Sequence, residues 1–388
     1  MRKTVLSGCL VIFAILSACH GSSSSPDGPQ SPSLGIQLPS CGTKTTFFTT
    51  LPFTPSLIAG WVPLGNLNPP MHVYPTDHQY MYLKSYLAGD RQPVSLYAPG
   101  EVSILSVIVS TTNGGSTKDY TVIFSPCAEV RGEYGHVSTV APEILAQLAP
   151  LDQTCQMNTP SPGVVTTQCY SKQANIPVHA GDIIGTAAGG DADLYDTRIT
   201  PLVFANSSRY MANTDKFDRF HAVAMSDYYI EPARSTLQAL LGSFDGKIAR
   251  TALPLGGTIV TDIVGTLQGT WFNPIYPDGP ESPHLAIVPD NVDPRQVEFS
   301  VGTSQASFSS NTYFVGVPAT SGFVNRRPAQ VTPGAQLWCY EFQNQFGIAL
   351  VQLSDATTIK FEGRAGNTRT CAGEQPWAFT AGAVTYKR

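Results

Sequence analysis

The chain has 388 residues, of which 42% are hydrophobic and only 13% charged, with a formal net charge of −5. Its length allows two domains, and mild acidity without a basic patch or an aromatic-spaced Lys/Arg run argues against a nucleic-acid partner. The 34 glycines and 31 prolines, set among short apolar runs rich in Val, Ile, Thr, Tyr and Phe, give the composition of a β-protein with many turns.

The first residues predict a compartment. Arg2 and Lys3 precede a mostly apolar run over 5–16, the layout of a secretory signal, and the run is too short for a membrane-spanning helix. Leu16-Ser17-Ala18-Cys19 resembles the lipobox at which bacterial lipoproteins are cut and acylated, so residues 1–18 are expected to be the signal peptide and Cys19 the lipid anchor to the membrane. His20 in place of an aspartate after the anchor favours the outer membrane of the cell envelope. Removing Arg2 and Lys3 takes the 23 basic residues to 21 against 28 acidic ones, a net charge of −7. Residues 19–38 form the anchor and a flexible tether, because the sequence GSSSSPDGPQSPSL has too little apolar surface to fold. Leaving out Cys9 and Cys19, six of the eight cysteines remain, with no zinc-finger spacing and no Cys-x-x-Cys. Disulfides are the economical reading in an oxidising compartment. By proximity they pair as Cys155–Cys169, Cys339–Cys371 and Cys41–Cys127.

A first domain, 39–205, carries strand candidates at 94–98, 102–110, 120–124, 164–168 and 183–187, with Asn113-Gly114-Gly115 as a hairpin turn after the second. Ile144, Leu145 and Leu148 recur at helical spacing and predict a short helix over 139–148. Residues 206–255 read as a helical connector, in which Leu237, Leu240 and Leu241 share a face after Pro232. Residues 256–388 return to β-signals at 258–264, 270–272, 284–288, 297–301, 312–317, 336–342, 348–353, 357–361 and 377–386. The fold class is therefore mainly β: an antiparallel N-terminal β-domain, a short helical connector, and a C-terminal antiparallel barrel or sandwich.

The densest group of metal-ligand types is His72, Asp77 and His78, in a chain with seven histidines. From His78 onward the order of segments resembles the lysostaphin-type (duplicated hybrid motif) zinc metallopeptidases, which cut peptidoglycan cross-links. The resemblance rests on His78-Gln79-Tyr80-Met81-Tyr82, Leu96-Tyr97-Ala98-Pro99-Gly100-Glu101-Val102, Tyr134-Gly135-His136-Val137-Ser138, and Val178-His179-Ala180-Gly181-Asp182-Ile183-Ile184-Gly185. It covers roughly residues 60 to 200. It implies a small β-domain with zinc on a first histidine, an aspartate and a last histidine. Here Tyr82 stands at the aspartate position and Asp193-Leu194-Tyr195 near the last histidine, so only His78 and His136 keep family positions. Zinc in a hydrolytic site needs three protein ligands and an open position. The expectation is therefore a degenerate relative that binds peptidoglycan or an envelope protein without hydrolysis.

A rebuilt site is the alternative: His78 with Asp77 or His72 for the missing carboxylate, and Asp191, Asp193 or Asp196 for the last histidine. Such a mixed set suits one divalent metal, zinc or manganese, and His136 would then be the catalytic base of a metal-dependent, peptidase-like hydrolase. Asp77 capping a backbone amide and His78 and His136 hydrogen-bonded in a β-core explain the same residues without a metal. His179 reads as a solvent-facing turn residue, His221 as a packed histidine, and Asp215, Asp218 and Asp227 as a solvated or capping set. Gly269-Thr270-Trp271 looks like the first strand of lipocalin and avidin-like barrels, which would make the C-terminal domain a ligand-binding barrel; a buried tryptophan anchoring a β-core is the preferred explanation of the same three residues.

Overall fold

The computed structural model describes residues 37–151, 154–161, 163–206, 219–276 and 280–388. Cys19, Asp215 and Asp218 lie outside them. Among the described residues no helix is long and apolar enough to cross a membrane.

The N-terminal part is one eleven-stranded sheet. Its strands are β1 (Ile58–Val62), β2 (Gln79–Leu83), β3 (Val94–Tyr97), β4 (Val102–Thr112), β5 (Asp119–Cys127), β6 (Val130–Val140), β7 (Thr154–Ser161), β8 (Val164–Tyr170), β9 (Ile176–Val178), β10 (Ile183–Ala187) and β11 (Gly190–Asp196). The main path runs β1-β2-β11-β6-β5-β4-β8-β7. Two short helices, α1 (Lys84–Leu87) and α2 (Pro142–Leu148), sit between strands. In α2, Ile144 and Leu148 are buried, as their spacing predicts, while 139–140 belong to β6 rather than to the helix. One face of the sheet, with Trp61, Met81, Phe124, Tyr134, Ala192 and Leu194, packs on Phe48, Phe53, Tyr229, Leu237 and Leu241. Leu237 comes from α3 (Ala233–Gln238), the helix of the expected connector.

The C-terminal part holds two four-stranded antiparallel sheets. One is β12 (Gly269–Trp271), β13 (Leu285–Pro289), β14 (Val297–Val301) and β15 (Asn311–Phe314); the other is β16 (Trp338–Glu341), β17 (Gly347–Asp355), β18 (Thr358–Ala365) and β19 (Val384–Lys387). Ile287, Phe299 and Val301 from the first share one core with Tyr340, Val351 and Phe361 from the second. Of the two expected forms, barrel or sandwich, no closed barrel forms: the two sheets share a core and are joined at their edges only by the single bridges Phe272–Lys387 and Val315–Phe342. Trp271 is fully buried in that core, its Nε1–H donating to the Leu267 carbonyl at 2.9 Å and the Arg388 guanidinium 4.0 Å from its ring.

One expected strand is absent and another is shortened. Residues 258–264 form a loop between left-handed Gly257 and Gly265, and within it Asp262 accepts the Thr270 and Ala205 amides. Of 377–386 only the end is strand; Trp377 instead donates to the Cys371 carbonyl and Thr380 binds Glu362. All three expected disulfides are present: Cys41–Cys127, Cys155–Cys169 and Cys339–Cys371.

Candidate metal centre

Strand parity builds the site. β11 lies between β2 and β6, with Tyr80 opposite Asp191, and Tyr134 and Glu133 opposite Ala192 and Asp193. Side chains alternate across a strand, and Ala192, Leu194 and Tyr134 point into the core. Asp191 and Asp193 therefore share the opposite face with Glu133 and Gly135. His78, two residues before Tyr80, reaches the same face: its Nδ1 is 2.7 Å from Asp193 Oδ2 and 3.7 Å from Asp191 Oδ2. One ligand atom from each of His78, Asp191 and Asp193 lies within 4.8 Å of the others. Gly135 makes the room, because a Cβ there would stand 1.9 Å from Asp191 Oδ1.

The three side chains are largely buried, with exposures of 14% for His78, 9% for Asp191 and 5% for Asp193. Burial alone would lower the His78 pKa, but Asp193, through charge and a hydrogen bond, and then Asp191 outweigh it and raise the imidazole well above its usual value. Burial raises Asp193, the His78 charge opposes this, and Asp191 adds to it, leaving the carboxyl above its ordinary range. Asp193 Oδ1 is buried with no hydrogen-bond partner among the described residues. An oxygen left in that state is costly unless a proton or a cation meets it.

A second pair flanks the first. In the β5–β6 ladder Tyr120 pairs with Val137 and Val122 with Tyr134, so Gly135 and His136 together face Thr121 in a bulge. The bulge sets His136 in the left-handed region (φ 56°) and its Cβ against Gly190, the residue before Asp191. His136 Nδ1 is 2.7 Å from Asp119 Oδ2, with both side chains part-exposed. An Nδ1–H donated to the carboxylate leaves the lone pair on Nε2, the arrangement a general base uses.

The other sequence candidates go elsewhere. Asp196 lies on the core side of β11, bound to Arg198 and to the Tyr228 hydroxyl. Asp77 turns away from the metal-ligand set: Oδ1 meets Arg219 Nη1 and Oδ2 accepts from the Tyr195 hydroxyl, both at 3.3 Å. Burial raises the Asp77 carboxyl, but Arg219 and then His78 bring it below its ordinary value. His72 is buried with its ring 5.1 Å from that of His78. Tyr82 meets Tyr86 and Phe244. His179 is exposed and pairs with Glu101, while His221 is buried. Sequence reasoning missed Asp119, Arg219 and Glu281, which come from 17 to more than 200 residues away from the side chains they serve. No local spacing marks them.

The arrangement defines a class: a mainly-β protein whose open antiparallel sheet turns one face to a core and presents a histidine–carboxylate centre on the other. No protein-family model, curated protein or solved structure matches the chain.

Proposed function

We propose that the chain is a lipid-anchored cell-envelope protein that binds one divalent metal, zinc by its donor set, on His78, Asp191 and Asp193, and acts as a metal-dependent hydrolase. The observation that carries the reading is the convergence of these three ligand atoms within 4.8 Å, beside an Asp193 oxygen that has no hydrogen-bond partner among the described residues. A histidine with two carboxylates meets the three-ligand requirement of a hydrolytic zinc site. A metal held there supplies Lewis-acid chemistry. His136 accepts a proton at Nε2, Asp119 fixes its ring, and Gly135 leaves the Asp191 carboxylate room beside His78. The envelope location rests on Cys19 and the signal before it, and peptidoglycan as substrate rests on the resemblance to lysostaphin-type peptidases.

Metal analysis of the purified full chain tests the site. One zinc per chain, lost in His78→Ala, is the expected result; metal retained in full by the variant removes His78 from the centre. A second reading, binding of peptidoglycan or an envelope protein without hydrolysis, is favoured by the His78–Asp193 pair at 2.7 Å, which balances charge with no metal, and by Tyr82 at the position of the family's carboxylate. It predicts a metal-free wild-type protein.

A further inference from the structure

The junction between the two halves of the chain buries a carboxyl that nothing compensates. β14 is an inner strand of the first C-terminal sheet, and its Val297, Phe299 and Val301 point into the shared core. By alternation Glu298 and Ser300 lie on the other face. The N-terminal half covers that face: Ala286 and Val288, directly opposite Ser300 and Glu298, pack with Leu67. Glu298 is 6% exposed and Ser300 is fully buried, its Oγ without a hydrogen-bond partner among the described residues. Among the same residues no donor or cation acts on the Glu298 carboxyl; burial, and then the like charge of Asp290, raise it well above its ordinary range.

Leu67 belongs to the loop that delivers His78. The Gly65 amide donates to the Thr76 carbonyl at 2.9 Å and the Thr76 amide to the Asn66 carbonyl at 3.0 Å, so the two sides of the loop are tied together next to Leu67. Thr76 Oγ1 then accepts the His78 amide at 3.2 Å. The turn between β13 and β14 clasps the start of the loop: Asn291 Nδ2 donates to the Pro63 carbonyl at 2.9 Å, and Arg250 Nη1 to the Asn291 carbonyl at 2.6 Å. Asp290 shapes that turn, its Oδ1 accepting the Val292 amide at 3.1 Å. Burial raises the Asp290 carboxyl and Asp293 adds to it, against the Asp293 and Val292 amides and the Arg250 charge. Asp293 is itself paired with Arg295 at 2.8 Å.

A buried carboxyl without donors keeps its proton and resists its charge. Neutral, Glu298 lies beside Val288 under Leu67 at the cost of its unmade hydrogen bonds alone. Ionised, it sets a second charge near Asp290, while the Arg250 cation acts on Asp290 and not on Glu298. Lifting the loop off β14 admits water to both Glu298 and Ser300, so ionisation favours opening. We propose that Glu298 is a pH-operated latch on the His78 loop, closed while its carboxyl carries a proton and loosened when that proton passes to solvent. The open carboxyl titrates near about 4.3 and the closed one higher, so closure is fully favoured below about pH 4.3 and is lost as pH rises through the closed value. The latch rests on the geometry of the junction; its influence on zinc rests on the metal-centre reading.

Amide hydrogen exchange of the full chain, read by mass spectrometry at about pH 5 and about pH 8 in the presence of chelator, tests the latch on either side of the carboxyl's transition. Protection of segment 63–78, corrected for intrinsic exchange rates, is expected to fall between the two pH values on the order of tenfold more in wild type than in Glu298→Gln, since each pH unit between the open and closed values is a tenfold change. Glu298→Met, which sets an apolar side chain against Leu67, should be as insensitive to pH as Glu298→Gln. A purely structural role would shift protection equally at both pH values. Equal pH dependence in wild type and both variants overturns the latch, and so does a wild-type loss that extends equally to β17 on the far sheet. With zinc in place of chelator, competition titration at the higher pH should show both variants holding the metal several-fold more tightly than wild type. The exchange signature without that gain, or with no zinc bound by any of the three proteins, retains the latch and removes its link to a metal centre.

Discussion

Gly135→Ala separates the metal centre from the fold that carries it. The added methyl would stand 1.9 Å from Asp191 Oδ1 and 2.7 Å from its Cγ. Restoring an ordinary contact of 3.4 Å requires the carboxylate to move by about 1.5 Å. The displaced atoms are the end of a side chain and Gly135 is not in the left-handed region, so the backbone need not yield; the stability change should stay within about 1 kcal/mol. Metal ligation is far less tolerant, since ligand distances hold to about 0.2 Å. A shift several times that size takes Asp191 out of the set and should weaken zinc by at least about tenfold, the loss seen when even an outer partner is removed. Competition titration against a zinc chelator reads the affinity, and a thermal melt reads the fold. Wild-type zinc affinity in Gly135→Ala would show that Asp191 is not a ligand.

Three further outcomes follow from the same geometry. His136→Ala should abolish hydrolysis of peptidoglycan fragments while leaving zinc content at the wild-type level; a parallel loss of zinc would make His136 a ligand rather than a base. Burial raises the Asp196 carboxyl, but Arg198 and Tyr228 outweigh it and hold it below its ordinary value. Its stabilisation is therefore present above the unfolded pKa of about 3.9 and lost as pH falls through the folded value. Melting temperature should fall less steeply below about pH 4 in Asp196→Asn than in wild type, and parallel acid limbs would refute the assignment. Arg219→Met leaves Asp77 and Glu281 buried without their shared cation and should cost about 3 kcal/mol in urea unfolding; a change within about 0.5 kcal/mol, as for a surface substitution, would discount the node.

Strands that bury one apolar face were legible. β4, β5, β14 and β17 combine β-branched residues with buried runs, and the Asn113-Gly114 turn sits where left-handed residues were expected. β6 and β11 were not, because Gly132, Gly135, Asp191 and Asp193 interrupt the apolar pattern that identifies a strand. The same polar residues make the candidate site. The segment 258–264 failed in the opposite sense: its Thr/Ile/Val content is strand-like, but paired glycines and the Asp262 carboxylate satisfy its neighbours as a loop. Within the site, the rank of His78 and the substitution by Asp191 or Asp193 could be proposed from order along the chain. Excluding Asp196 required knowing that 190–196 is a strand, since only then does its parity with Ala192 and Leu194 turn it to the core side.

The role of Asp77 was hidden for a different reason, since it depends on a contact between the two halves of the chain. Arg219 Nη1 lies 3.3 Å from Asp77 and 3.8 Å from Glu281, a residue just before β13 of the sandwich. Glu281 in turn accepts the Tyr74 amide, and the Tyr74 ring stacks 5.6 Å from His284. Burial raises the Glu281 carboxyl, with Arg219 acting against it, so its charge is best tolerated when that cation is seated. Through the Tyr195 hydroxyl, Asp77 is tied to the side of β11 that carries Asp193. The loop delivering His78 is thus fastened at one end by β2 and at the other by groups from the connector and the sandwich. Two buried carboxylates around one guanidinium are stable only with all three present. The C-terminal sandwich therefore contributes to the position of His78 without reaching the centre itself.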